Sequence, residues 1–317
     1  NGNTTQTFSN NGFSMGEFEL NNPSGVTVAL ATDEFLFIDE VLRINQGTLT
    51  TGGQVYLRCD FTNGPAQIDR VQGTISGDIT TEQCFPAKRA FRLITSSVDS
   101  GESIHANWQE AATSYANNPN PGYGTHITGV DTSSDQTNGF DYTPSGNPSM
   151  YTYDNGLSQW QKINNTDNTN LVAGVPYRLL VRGDRSIDVT SNSAFPTKTR
   201  LRNIGSVITG DIIQTNFNST DGAANFFGNP YHAAVDMDLI MTNAATNNVA
   251  PNFYYVYDAD LGGSPSPGTP GGRGGYVTID LSDGSNNNAS SDANQYLQPM
   301  QAAFFLTGNA ACIGCRY

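Results

Sequence analysis

Apolar positions in this chain recur in short runs with a period of two. The densest stretch lies between Ala223 and Leu261. There Phe226 and Phe227 precede a Gly228-Asn229-Pro230 break, and Val235, Met237, Leu239 and Met241 then alternate with Asp236, Asp238, Ile240 and Thr242. After a polar loop, Phe253 to Tyr257 is rich in aromatic and β-branched residues. Runs of this kind bounded by turn residues predict strands. Upstream, Phe18-Glu19-Leu20, Val26 to Leu30, Phe35 to Ile38, Val41 to Ile44, Val55 to Leu57, Ile68 to Val71 and Ile75 to Ile79 follow one another with Asn, Gly, Asp or Thr turns between them. The phrase GTLTTGGQVYLRCD reads as a Thr/Gly turn joining two rungs, although no single repeat length is kept.

The pattern predicts an all-β protein: a β-solenoid-like or sheet segment over residues 1–85, then a β-sandwich, jelly-roll-like, over 86–317. Pro86 to Val98 leads through Lys88, Arg89 and Arg92 into a core strand. Further strands are expected at Met150–Tyr153, Trp160–Ile163, Pro176–Arg182, Ser186–Thr190, Thr199–Asn203, Ser206–Thr209, Ile212–Phe217, Tyr276–Leu281 and Met300–Thr307. One short helix is expected over Ser103 to Ala116, where Ile104, Trp108, Ala112 and Tyr115 share a face and Ser103 caps the start. Asn117 to Pro148 and the Gly/Pro-rich GGSPSPGTPGGRGG of Gly262 to Gly275 read as loops.

Composition narrows the class. Only 14% of the 317 residues are charged, and the net charge is -14. Neutral polar side chains therefore carry most of the solvation, which suits an extracellular β-protein. A polyanion repels nucleic acid and anionic lipid, and no apolar run approaches the ~20 residues of a membrane helix. Neither nucleic acid nor membrane insertion is expected. The opening NGNTTQT carries no legible signal peptide, so the signal of a secreted protein would be removed or lie outside this sequence. Four cysteines allow three pairings, of which Cys59–Cys84 and Cys312–Cys315 are favoured. A four-cysteine zinc site is the other arrangement, weakened by the presence of a single Cys-x-x-Cys.

Several phrases carry a family likeness. PAKRAFRLITSSV, SIHANWQEAAT, NPNPGYGTHITG, PYRLLVRGDRSID, FFGNPYHAAVDMD, NFYYVYDADLGG, GGYVTIDL and LQPMQAAFFL resemble regions of large secreted surface proteins of Bacteroidetes, especially flavobacteria. GTLTTGG with GTISGDITTEQCFPAKRAFR resembles their solenoid-to-sandwich junction. The likeness runs from about Leu49 to Leu306. It implies export by type IX secretion and an adhesin-like or structural role at the cell surface. The Cys312-Cys315 ending and the long Gly/Pro loop depart from that pattern.

Candidate chemistry is sparse. Gly12-Phe13-Ser14-Met15-Gly16 has G-x-S-x-G spacing without the strand-to-helix context a nucleophile needs. His105, His126 and His232 show no metal-ligand spacing. Asp236 with Asp238, and Asp258 with Asp260, would each share a strand face; they are candidate calcium ligands, a candidate acid pair or plain solvated positions. Asp280 and Asp283 are a weaker calcium pair. Arg182-Gly183-Asp184 spells an adhesion tripeptide in a setting that suits a hairpin turn. Asn3, Asn218 and Asn288 open N-glycosylation patterns, here markers of exposed loops. Trp160, Tyr151 and Tyr153 are candidate sugar-stacking residues. The expected function is non-catalytic: a surface structural or adhesive protein, associating with itself by strand addition or with neighbouring domains. A carbohydrate-binding module of a secreted hydrolase is the alternative. No cofactor is expected beyond possible calcium.

Overall fold

A computed structural model describes residues 2–130, 137–244, 248–262, 274–308 and 315–316. From Gln6 the chain coils into a β-solenoid with two parallel walls. Gln6–Asn10, Val26–Leu30, Thr48–Thr50 and Thr74–Ser76 form one wall in that order. The other runs from Phe13–Asn21 to Leu36–Gln46, then to Val55–Leu57 and Gln67–Val71, which both pair with Leu36–Gln46, and on to Ile79–Phe85.

In-register stacking places each apolar position over its equivalent one coil earlier. Phe18, Leu42 and Ile68 form one such ladder, and Leu20, Ile44 and Val71 another. These side chains close a single core with Leu36, Ile38, Leu49, Leu57 and Ile79. Burying each is worth about 1.5–3 kcal/mol. The outward positions stack too: Arg43 donates to Glu17 at 3.0 Å and to Asp69 at 2.9 Å, so one cation separates two carboxylates of successive coils. Gly47 (φ +82°) turns a corner where a Cβ would lie 1.9 Å from the Asn22 carbonyl oxygen, a position closed to any side chain.

The coil ends where pairing reverses. Thr199–Val207 runs antiparallel to Ile79–Phe85, and Val98–Asp99 pairs antiparallel with its far end. One uninterrupted strand thus replaces the two expected at Thr199–Asn203 and Ser206–Thr209. The expected Cys59–Cys84 disulfide joins the last two coils, with Cα atoms 5.7 Å apart. Cys312 lies outside the described residues, and Cys315 is described only through the backbone pairing of Cys315–Arg316 with Ile213–Gln214, so the expected Cys312–Cys315 bridge is outside them too.

Two four-stranded antiparallel sheets form most of the remaining β structure, beside short two-stranded ladders such as Val235–Asp236 with Tyr296–Leu297. The first is ordered Ala90–Thr95, Pro176–Val181, Met150–Asp154, Gln159–Lys162, and the second Ala224–Gly228, Ala302–Thr307, Val249–Asp258, Gly275–Asp280. Both share one strand order, in which the fourth strand in sequence lies between the first and the second. They pack through Leu93, Tyr153 and Trp160 of the first against Phe226, Phe304, Tyr255 and Tyr257 of the second. The first sheet's other face packs on Trp108, Ile104 and Leu201, and the second's other face on Met237 and Met241.

Four expectations change. The helix α1 covers only Ile104–Trp108; Ser103 caps it as expected, but Glu110 and Ala111 enter the left-handed region (φ +57° and +49°). Glu110, whose side chain is buried, leaves the helical path to pair with Arg202 and to accept from Asn120. Val235 to Thr242 is largely a second helix, α2, over Met237–Ala244, where a strand was expected. Ser186–Thr190 is a set of turns rather than a strand, with Asp188 accepting from the Thr190 amide and hydroxyl. Ile212–Phe217 contributes only Ile213–Gln214.

Asn117 to Pro148 contains no strand among its described residues, yet Gly124 to Gly129 is buried. Arg185 accounts for this. Its guanidinium donates to both oxygens of Asp141 at 2.7 and 2.8 Å and to the backbone carbonyls of Ser114, Asn117 and Thr125. One side chain thereby satisfies loop carbonyls that burial would otherwise leave unpaired.

Candidate functional site

Where the two antiparallel sheets meet, they diverge into an open cleft of about 440 Å³, lined by Tyr153, Trp160, Ala224, Tyr255, Tyr276, Phe304 and Leu306. Alternation puts Tyr153 and Trp160 here. They are cross-strand partners in the hairpin of the first sheet, with rings 5.1 Å apart and edge-on. Tyr255 and Phe304 are likewise opposite one another in the second sheet. Tyr153 lies 5.2 Å from Phe304 at 89°, and Trp160 5.3 Å from Phe226. The rings are held edge-to-face, the arrangement their quadrupoles favour. Arg178 stands 5.4 Å from the Trp160 ring and 4.0 Å from the Phe91 ring. Tyr276 is 52% exposed and forms the rim. Burial raises the hydroxyls of Tyr255 and Tyr276 above the usual phenol range, so both are protonated donors at neutral pH.

A second cleft, about 370 Å³, opens between the end of the solenoid and the same sheet. Gln83, Arg92, Tyr257, Asp258, Asp260 and Asp292 are among its lining residues. Among the described residues no acceptor meets Nε or Nη2 of Arg92 and no donor meets Oε1 of Gln83, and all three atoms are closed to solvent. Burial pushes the Arg92 guanidinium below its usual range, against the opposing charges of Asp260 and Asp258. Tyr257 links the two clefts: it lines this one, and its ring lies 5.1 Å from Tyr276 of the other.

Of the residues singled out in the sequence, Tyr153 and Trp160 come together in the aromatic cleft. Tyr151 does not; its hydroxyl donates to the Pro148 carbonyl and its ring faces Phe91. The four aspartates take up local roles. Asp236 accepts from the Asp238 amide at the start of α2, Asp238 accepts from Thr242, Asp258 accepts from Ser291 and from the Asp260 amide, and Asp260 pairs with Lys88 at 3.2 Å. Among the described residues no group of three or more His, Cys, Asp or Glu is placed to hold a metal ion. The strand that was to align Asp236 with Asp238 is a helix boundary, so their shared-face argument for calcium falls away. Asp280 and Asp283 each accept from the serine two residues on.

Ser14 contacts Asp39 and Arg58 and sits within Phe13–Asn21, with no histidine beside it. Arg182 and Asp184 are buried; Asp184 accepts from Thr197, Ser186 and the Gly122 amide, so the adhesion tripeptide is internal framework. His105 bonds Asp167, His126 is buried 3.4 Å from Asp141, and His232 bonds Ser97. Sequence reading missed Arg92, Gln83 and Tyr257. Only the concentration of cations at Lys88, Arg89 and Arg92 hinted at the first.

No protein-family model matches this chain, and no curated protein or solved structure matches it.

Proposed function

We propose that this chain is a non-catalytic, extracellular adhesive protein that holds a neutral glycan against the aromatic cleft between its two sheets. The observation that carries the reading is the open wall formed by Tyr153, Trp160, Tyr255, Tyr276 and Phe304. Flat rings with negative faces attract the polarised C–H bonds of a sugar, and the tyrosine hydroxyls at the same surface can donate to its oxygens. A volume of about 440 Å³ is in the range of small-ligand sites. The net charge of -14 disfavours anionic ligands. The reading agrees with the surface-protein resemblance of the sequence and takes its localisation from it. Titration of the protein with neutral cello-, malto-, xylo- and manno-oligosaccharides, followed by amide chemical shifts, tests it. Binding by one series, weakened at least tenfold in Trp160→Ala, is the expected result. No binding across all four series, or binding indifferent to Trp160→Ala and Tyr276→Ala, would remove it.

A second reading, self-assembly by strand addition, is favoured by the first coil. Among the described residues Gln6–Asn10 and Phe13–Asn21 are each paired on one side only, and Phe13 is 40% exposed beside Phe8. An unpaired flat edge is a template for another strand. Sedimentation over a range of concentrations should show association that Phe13→Lys abolishes; a monomer at the highest concentration would count against it.

A further inference from the structure

Arg182 and Arg185 lie three residues apart and are both buried, yet they are treated differently. Arg185 makes five hydrogen bonds, two of them to Asp141. Arg182 is 9% exposed, its Nη1 is closed to solvent without a partner, and no ion pair or side-chain hydrogen bond to it occurs among the described residues. Arginine stays charged, so deprotonation offers no escape. A buried unpaired charge costs several kcal/mol, far more than an unpaired neutral group. Asp141 acts on Arg182 only through space, and no carboxylate among the described residues meets Nη1, which is left without a direct partner.

Arg182 lines a small, partly enclosed cavity together with Arg89, Thr143, Ser145, Asp188 and Ser191, of which Ser145 and Asp188 are exposed. Arg89 adds a second positive charge; it donates to the Asn192 carbonyl at 3.3 Å and makes no ion pair among the described residues. Burial and then the charge of Arg89 push Arg182 down to about 10, which leaves it cationic at neutral pH. Asp188 is exposed, its Oδ1 is taken up by the Thr190 amide and hydroxyl, and it pairs with neither arginine. The cavity holds about 20 Å³. Room of ~10–15 Å³ on this measure takes one water, so the occupant is a single atom of that size rather than a tetrahedral oxyanion. Water would answer the hydrogen bonds and leave the charge unanswered.

We propose that this cavity is a halide site, in which Arg182 and Arg89 hold one chloride ion against a wall of hydroxyls, where Thr143 and Ser145 bond each other at 3.3 Å and leave one proton of the pair for the ion. The ion would fasten the turns after Arg182 to the loop around Thr143, and the fold would gain stability from chloride as any native state gains from a ligand absent from the unfolded one. This inference is independent of the glycan reading, because the cavity shares no lining residue with either cleft.

The test is thermal unfolding of the whole chain in sodium chloride against sodium gluconate at matched ionic strength. The expected result is a melting temperature that rises and saturates with chloride, and likewise with bromide. In Arg182→Met that increment disappears, while in Arg89→Gln its midpoint moves at least tenfold higher. Arg182→Met in gluconate should be no less stable than the native chain, because it removes an unanswered charge. Equal melting temperatures in the two salts, or a chloride increment retained unchanged in Arg182→Met, would overturn the proposal. Should Arg182→Met fail to fold, an unaltered increment in Arg89→Gln would overturn it equally.

Discussion

Asp141 shows what one buried carboxylate does for an irregular segment. Burial alone would raise its pKa; the hydrogen bonds from Arg185, and then the His126 ring 3.4 Å away, outweigh that and hold it down to about 2. The folded state therefore prefers the ionised form, and the stability this supplies is complete above about pH 4 and lost as the pH falls toward 2. Asp141→Asn strands the Arg185 charge and should cost about 3–5 kcal/mol, read from denaturant midpoints. His232 acts in a higher window. It is buried between Ser97 and the solenoid strand Gln67–Val71, whose Ile68 amide donates to its carbonyl, and burial lowers it to about 3 from an ordinary value of 6.5. Its neutral form is the folded form, so its contribution is present above pH 6.5 and declines as the pH falls below that. The urea midpoint should drop between pH 6.5 and 4, and His232→Asn should flatten that slope whatever its effect at neutral pH.

At the scale of elements, α2 is the instructive case. Val235, Met237, Leu239 and Met241 fit a period of two, but Met237 and Met241 also fit i, i+4, and Ile240 completes the helical face. The structure decides by burial: Met237 and Met241 are 0% and 1% exposed, whereas Leu239 is 64% exposed. Asp236, placed to accept from the Asp238 amide, is the N-cap of α2, where the strand reading had set it on one face with Asp238. Met241→Ala should cost about 2–5 kcal/mol, because it empties a filled position against Val249 and Tyr254, whereas Leu239→Ala should cost far less; thermal unfolding separates the two. The helix α1 teaches the converse. Its cap and apolar face were legible from Ser103, Ile104 and Trp108, but its end was not, because it is set by Arg202, distant in sequence, drawing Glu110 out of the helix. In the candidate site, Tyr153 and Trp160 could be named from the sequence. Their partners Tyr255, Tyr276 and Phe304 could not, since no local pattern says which strands of two sheets will face each other.

For the whole molecule, the Cys59–Cys84 bridge closes 25 residues of chain across the last coils, where the pairing changes from parallel to antiparallel. A double Cys59→Ser, Cys84→Ser variant should lose about 3 kcal/mol with the fold retained, because the bridge acts mainly by restricting the unfolded chain; guanidinium unfolding measures it. The amino-acid sequence by itself determined that the chain is built of short strands with turn residues between them, and it favoured Cys59–Cys84 among the possible pairings without excluding the others. Those features rest on periods and turn residues that act over a few positions. Tertiary structure alone decided the antiparallel strand that ends the coil, the conversion of an alternating run into α2, and the guanidinium groups left with or without an acceptor. Each depends on which distant groups burial brings together, and a side chain's own neighbours in sequence carry no record of that.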